Sequence, residues 1–217
     1  MKYRISSKIN ILNILKKYFS YQKLHQIFNK LAVSRLRGLD LYRNSPDRLV
    51  LEDIIIPYFA SKNEFRKVLF VGCDWYTNPY KTLFKKQEYW TIEIDEEKQK
   101  YGSKNHIIDE IQNLNQYIEP SYFDLIIFNG VFGYGINTLE ETEESFAQCF
   151  EALRTGGVLV FGWNDVSEYK PFPVMEICEQ LKKFDPYLFE PLSTYEYLTP
   201  NTPRRHIYNF YIKPIAI

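Results

Sequence analysis

Proton transfer and nucleophilic attack at neutral pH need a small set of side chains, and this 217-residue chain has few of them. Its histidines are His25, His106 and His206, and its cysteines are Cys73, Cys149 and Cys178. Imidazole titrates near neutrality, so histidine is the ordinary general base. His206 follows Arg204 and Arg205, whose guanidinium groups could pair an anionic group bidentately. The competing reading is a structural histidine behind two solvated turn charges. A cysteine nucleophile needs an adjacent base; Cys73 shows none and reads as a small packing residue. There is no CxxC and no Cys/His cluster with zinc spacing, and the cysteine count is odd. Neither a disulfide framework nor a metal site is expected.

Candidate groups act only where elements place them. Residues 67–72, 88–93, 106–109, 122–129 and 158–163 are short apolar runs that read as buried strands. Between them lie helical segments, clearest over 138–154, where Leu139, Phe146, Phe150 and Leu153 mark an apolar face. Gly156 and Gly157 form the expected turn from that helix into the fifth strand. Residues 187–190 and 205–211 read as two closing strands, with a loop from Ser193 to Pro203 between them. Alternating strands and helices imply a parallel sheet wound on both faces. The fold class expected is α/β: a doubly wound, mostly parallel sheet with a last antiparallel strand, in three α/β/α layers.

Composition narrows the class further. Hydrophobic residues make up 45% and charged residues 25%, ordinary for a globular chain. Lys plus Arg equals Asp plus Glu at 27 each, which excludes a strongly basic polyanion binder. That balance is uneven along the chain. Residues 1–48 hold eleven basic and two acidic residues, a charge of +9, and the rest carries −9. Ile9, Leu12, Leu15, Phe19, Leu24, Ile27, Phe28 and Leu31 recur at helical spacing among lysines. Residues 1–47 therefore read as a basic helical extension and 48–217 as the domain. A basic amphipathic helix can dock on its own acidic domain, or contact a membrane surface or a protein partner through residues 1–40. No run of 18 apolar residues and no signal-peptide pattern occurs, so a cytoplasmic protein with free thiols is expected.

From about residue 48 to 213 the order of elements resembles class I S-adenosylmethionine-dependent methyltransferases. The pieces that carry the resemblance are VLFVGC (68–73), YWTIEIDEE (89–97), HIIDEI (106–111), FDLIIFNGVFGY (123–134) and ALRTGGVLVFGWND (152–165). The helix ending in Leu-Arg-x-Gly-Gly before an apolar strand is the most specific of them. In an open parallel sheet, ligands sit at the carboxyl ends of the strands, where strand order reverses. The resemblance implies S-adenosyl-L-methionine as cofactor. It implies Gly72 and Cys73 at the turn after strand one, and Glu93 on the ribose hydroxyls. Asp109 would hold the adenine amino group, and Asn129 would sit beside the sulfonium. Asp95 reads instead as the cap of the next helix.

The first motif departs from the family's Gly-x-Gly-x-Gly: Asp74 and Tyr76 stand where the second and third glycines would be. Either the loop is rebuilt, with Asp74 binding the methionine ammonium, or the site no longer takes the cofactor. The family's last strand is antiparallel, so its start lies at the ligand edge. That implies a substrate pocket from Tyr134, Trp163, Arg204 and Arg205, with His206 and Asp165 as catalytic candidates. The function expected is methyl transfer to an oxygen or nitrogen of a small-molecule or glycan-type substrate. The alternatives are a methyltransferase-fold binding or regulatory module without catalysis, whose sign would be a pocket occluded behind Trp75 and Tyr76, and a peripheral membrane or assembly protein. The Asp/Asn-Pro-Pro-Tyr/Phe motif of amino-group methylation is absent after strand four, where Asn129-Gly-Val-Phe132 stands. No DNA or RNA substrate is expected.

Overall fold

The computed structural model describes residues 45–215. Residues 1–44 of the basic helical extension expected over 1–47 lie outside those residues. Helix α1 spans 46–61: α-helical Pro46–Val50, a π-helical Leu51–Ile55 and α-helical Ile56–Ser61. Pro57 explains the widened turn. It has no N–H to give the preceding turn, and its ring crowds the carbonyl four residues back. The chain continues through β1 (Lys67–Val71), α2 (Tyr80–Leu83), β2 (Glu88–Ile92), β3 (Asn105–Ile107), β4 (Phe123–Asn129) and α3 (Leu139–Ala152). It closes through β5 (Leu153–Asn164), α4 (Val174–Ile177), β6 (Asp185–Pro186), β7 (Glu196–Leu198) and β8 (His206–Ile212).

The eight strands form one sheet in the order β3-β2-β1-β4-β5-β8-β6, with β7 also on β8. β1 to β5 pair in parallel and β8 runs antiparallel to β5. Strand order reverses between β1 and β4, which opens a crevice at their carboxyl ends.

Period-two alternation splits the core between the two faces of the sheet. Val68, Phe70, Leu125, Ile127, Val160 and Tyr208 pack with Leu51, Ile55 and Phe59 of α1. Leu69, Val71, Ile126, Phe128, Leu159 and Phe161 pack with Phe146 and Cys149 of α3. Strands buried on both faces must read as continuous apolar runs, which is why they stand out in the sequence.

Four expectations need correction. Residues 187–190 are not a strand: pairing with β8 occurs at Asp185–Pro186, and Phe189 makes an isolated bridge to Thr194. The expected loop from 193 to 203 contains β7, bonded to β8 at Ile207 to Asn209. Gly156 and Gly157 do not turn from helix to strand, because β5 begins at Leu153, directly after α3. They lie in a bulge, where β5 passes from Leu153 to Val158 while β4 passes from Phe123 to Leu125. Gly156 takes φ +71° there, the left-handed region that suits glycine. The face of α3 also differs, since Leu139 is 39% exposed while Thr142 and Ser145 are buried. Both hydroxyls donate to carbonyls one turn back, at 2.7 and 2.6 Å, so their burial leaves nothing unpaired.

Candidate functional site

A cavity of about 680 Å³ opens at the carboxyl ends of β1, β2 and β4 and at the start of β8. Gly72 ends β1 with φ +83°, and its N–H donates to the Ile92 carbonyl at 2.9 Å. The chain then bends across the end of β2. The Glu93 carboxylate holds the bend: Oε2 accepts the Cys73 N–H at 2.8 Å and Oε1 accepts the Asp95 N–H at 3.1 Å. One side chain thus ties the loop after β1 to the loop after β2. Asp74 caps the following 3-10 turn, Trp75–Thr77, through a reciprocal capping box with Thr77. Those bonds stabilise the loop at the positions where the familiar glycines are missing.

The half of the cavity at the ends of β1, β2 and β3, where the resemblance would place the cofactor, carries Gly72, Cys73, Asp74, Glu93, Ile94, Asp95, Lys98, Asp109, Glu110 and Ile111. Asp74 faces Lys98 at 3.8 Å. Asp109 accepts from Glu110 N–H, Asn113 Nδ2 and Tyr117 Oη at 2.7–2.8 Å. Its hydrogen bonds from Asn113 and Tyr117 hold the carboxyl below the usual range. Burial pushes the Cys73 thiol up to about 12, so it stays protonated and unreactive. Asp95 caps its 3-10 turn, Glu96–Tyr101, as expected, by accepting the Glu97 N–H.

The other half is formed by the ends of β4 and β5 and the start of β8. Asn129, Tyr134, Asn164, Arg204 and His206 line it. His206 is 4% exposed. Its Nδ1 lies 2.8 Å from Asn164 Oδ1 and its Nε2 lies 3.1 Å from Asn129 Oδ1. Burial lowers the imidazole to about 4. The ring is therefore neutral at pH 7, but neither nitrogen is free to take a proton from a substrate. Its place in this structure is that of a positioning residue for the two asparagines.

Three further candidates fall outside the cavity wall. Trp163 is buried on the α3 face, donating Nε1–H to Asn209 Oδ1 at 2.8 Å. Period two explains this: Asn164 points into the cavity, so its neighbour points away. Asp165 is ion-paired with Lys170 at 2.5 Å and Arg205 at 3.3 Å. The Lys170 ammonium holds its carboxyl below the usual range. Arg205 is committed to that pair and takes φ 48°. The structure thus separates Arg204 from Arg205, and Asn164 from Asp165.

Several lining residues had no signal in the sequence. Ser45, Pro46, Asp47 and Arg48 reach the cavity from the first turn of α1. Ser45-Pro46 marks a helix start, but only tertiary packing brings it to the crevice. Arg48 is buried; it donates to Tyr80 Oη at 2.8 Å and lies 4.3 Å from the Tyr76 ring centre. Tyr76 is accommodated by that stacking, and the cavity stays open beside it. Ile94 is 63% exposed; an aliphatic side chain between two carboxylates is its one signal in the sequence.

No family model matches the chain, and no curated protein sequence matches it. Solved structures do match. The N-methyltransferase NodS from Bradyrhizobium japonicum, in complex with S-adenosyl-L-homocysteine, aligns with a TM-score of 0.56 and 14% identity, covering 82% of this chain and 96% of its own. A TehB-like S-adenosylmethionine-dependent methyltransferase from Corynebacterium glutamicum aligns with a TM-score of 0.54 and 15% identity, covering 86% and 98%. An rRNA methylase from Streptococcus thermophilus aligns with a TM-score of 0.50 and 17% identity, covering 75% and 96%. The chain has the class I methyltransferase fold. Among the described residues, no helix is long and apolar enough to cross a membrane.

Proposed function

We propose that the protein is an S-adenosyl-L-methionine-dependent methyltransferase acting on a small-molecule or glycan-type substrate. The observation that carries this reading is Glu93, set in the cavity at the carboxyl end of β2. Each of its oxygens accepts one backbone N–H, and a carboxylate oxygen can accept two. Both oxygens keep a lone pair for a ribose diol. Ile94 and Ile111 supply apolar walls of the same half, suited to a purine face. Asp74 lies beyond hydrogen-bond distance of Lys98, so its outer oxygen can accept from an ammonium. When bound, the cofactor supplies an electrophilic methyl group on a sulfonium.

The chain's own contribution is alignment and charge. Seven carboxylates line the cavity against three cations, Arg48, Lys98 and Arg204. Five of the seven lie in the cofactor half, where they favour a cationic ligand. The same balance opposes a polyanion and supports a small acceptor over nucleic acid. An open cavity of about 680 Å³ speaks against the occluded, non-catalytic module.

The test is calorimetric titration with S-adenosyl-L-methionine and S-adenosyl-L-homocysteine. Both should bind, and Glu93→Ala should weaken each by about tenfold to a hundredfold, the value of hydrogen bonds to a charged acceptor. Absence of binding to either ligand refutes the proposal.

A further inference from the structure

Two donors converge on one hydroxyl at the rim of the cavity. Arg204 Nη1 lies 2.9 Å from Tyr134 Oη, and Asn164 Nδ2 lies 2.8 Å from it. A guanidinium only donates, so the phenol oxygen accepts from Arg204. The orientation of Asn164 follows from His206. A neutral imidazole has one N–H, yet both its nitrogens face amide groups, at 2.8 Å for Asn164 and 3.1 Å for Asn129. The ring can donate to only one of them, and Asn164 presents its Oδ1 to Nδ1. Asn164 therefore directs its own NH2 at Tyr134.

A phenol oxygen with both lone pairs engaged has one function left, its proton. Tyr134 lines the cavity, where that proton can be donated to a ligand. Burial holds the phenol above its usual range, so the proton stays in place at neutral pH. Arg204 lies 4.7 Å from the Tyr169 ring centre, and Tyr169 stacks on Tyr134 at 4.7 Å. The donor pair is thus fixed before any ligand arrives. Among the described residues, no carboxylate pairs with Arg204.

This half of the cavity has no strong base. Both His206 nitrogens are engaged, and Tyr134 keeps its proton. Glu141 is held by the N–H groups of Asn137 and Thr138. An acceptor that is already anionic needs no base at all. A donor placed on the single lone pair of an amine would block its attack, whereas a carboxylate has lone pairs to spare.

We propose that the methyl acceptor is a carboxylate, held by the Tyr134 hydroxyl and the Arg204 guanidinium and converted to its methyl ester. This rests on the reading that the cavity binds S-adenosyl-L-methionine. A lone pair of the free carboxylate oxygen forms the O–CH3 bond as the S–CH3 bond breaks, and that bond's electron pair stays on sulfur. The carboxylate and sulfonium charges cancel, and no proton is released. His206 and Asn164 act through Tyr134 as positioning residues.

The test uses the full chain loaded with S-adenosyl-L-homocysteine, titrated calorimetrically with benzoate and with benzylamine. Benzoate should bind at least about tenfold more tightly, and Tyr134→Phe and Arg204→Ala should each weaken it by about tenfold. Tyr134→Phe retains the ring stack and so separates loss of the hydroxyl from loss of structure. Methyl-labelled S-adenosyl-L-methionine is then supplied with a mixture of aromatic and aliphatic carboxylates and their matching amines. Label released by alkali as volatile methanol identifies a methyl ester. Alkali-stable label, tighter benzylamine binding, or homocysteine-derivative binding with no preference for benzoate overturns the proposal. Failure to bind S-adenosyl-L-homocysteine overturns instead the reading of the cavity on which it rests.

Discussion

Replacing His206 with Gln should remove most of the acid sensitivity of folding between pH 7 and pH 5. The ring is buried, and its folded value is about 4 against an ordinary value of 6.5. A depressed histidine is neutral in both states above pH 6.5. Below that, the unfolded chain takes up a proton that the folded chain refuses, so stability falls with falling pH until about pH 4. The full shift corresponds to about 3 kcal/mol at 1.36 kcal/mol per unit. Between pH 7 and pH 5 the wild type should lose about 2 kcal/mol through this group. Carboxylates held below their usual range, such as Asp109 and Asp165, lose their contribution only at lower pH. Burial lowers His106 too, but that term is common to both proteins. Urea unfolding at the two pH values measures the difference. The wild type should lose about 2 kcal/mol more than His206→Gln. Parallel losses would show that the ring protonates in the folded state, and the reading of a neutral ring with a single N–H would go with it.

Asn164→Asp replaces the donor to Tyr134 with an acceptor, so the phenol proton should turn from the cavity to the new carboxylate. Benzoate binding to the S-adenosyl-L-homocysteine complex should weaken by more than about tenfold, the loss of one hydrogen bond to a charged group, and unchanged affinity would refute the proton's direction. Gly133 takes φ +80°, and a Cβ there would overlap the Tyr169 carbonyl. Gly133→Ala should therefore cost about 1–3 kcal/mol in a urea melt. All three cysteines are buried, with thiols pushed above their ordinary value, to about 12 for Cys73 and Cys178. A thiol reagent at pH 8 should label the native protein slowly and all three sites rapidly once it is unfolded.

The strands were legible because burial on both faces leaves only apolar residues, as in Leu125 to Phe128. Glu93 and Gly72 were legible because each ends such a run. Of the closing strands, β8 (His206–Ile212) was legible, but Asp185–Pro186 and Glu196–Leu198 were not: they are two and three residues long and pair along the edge of β8, so no periodicity forms. The site split by parity. Arg204 and Arg205 are adjacent in sequence, yet one reaches the cavity and the other meets Asp165. Trp163 and Asn164 divide the same way. A one-residue error in register exchanges the members of each pair. Asp47 and Arg48 were invisible as site residues, because the packing of α1 alone brings them to the crevice.

The two margins of the sheet have a consequence for how copies of this protein meet. One margin is β3, three residues long. The other is β8, whose outer side is covered in sections: β7 bonds Ile207 to Asn209, Phe210 bonds the backbones of Tyr187 and Tyr195, and β6 bonds Tyr211 and Ile212. No long row of unpaired N–H and C=O groups is left along β8 for another chain to extend. Leu188, Tyr195 and Leu198 are exposed beside this margin, so apolar side chains stand there without a template to order another strand. Crowded molecules should therefore associate weakly and reversibly, without growing fibrils.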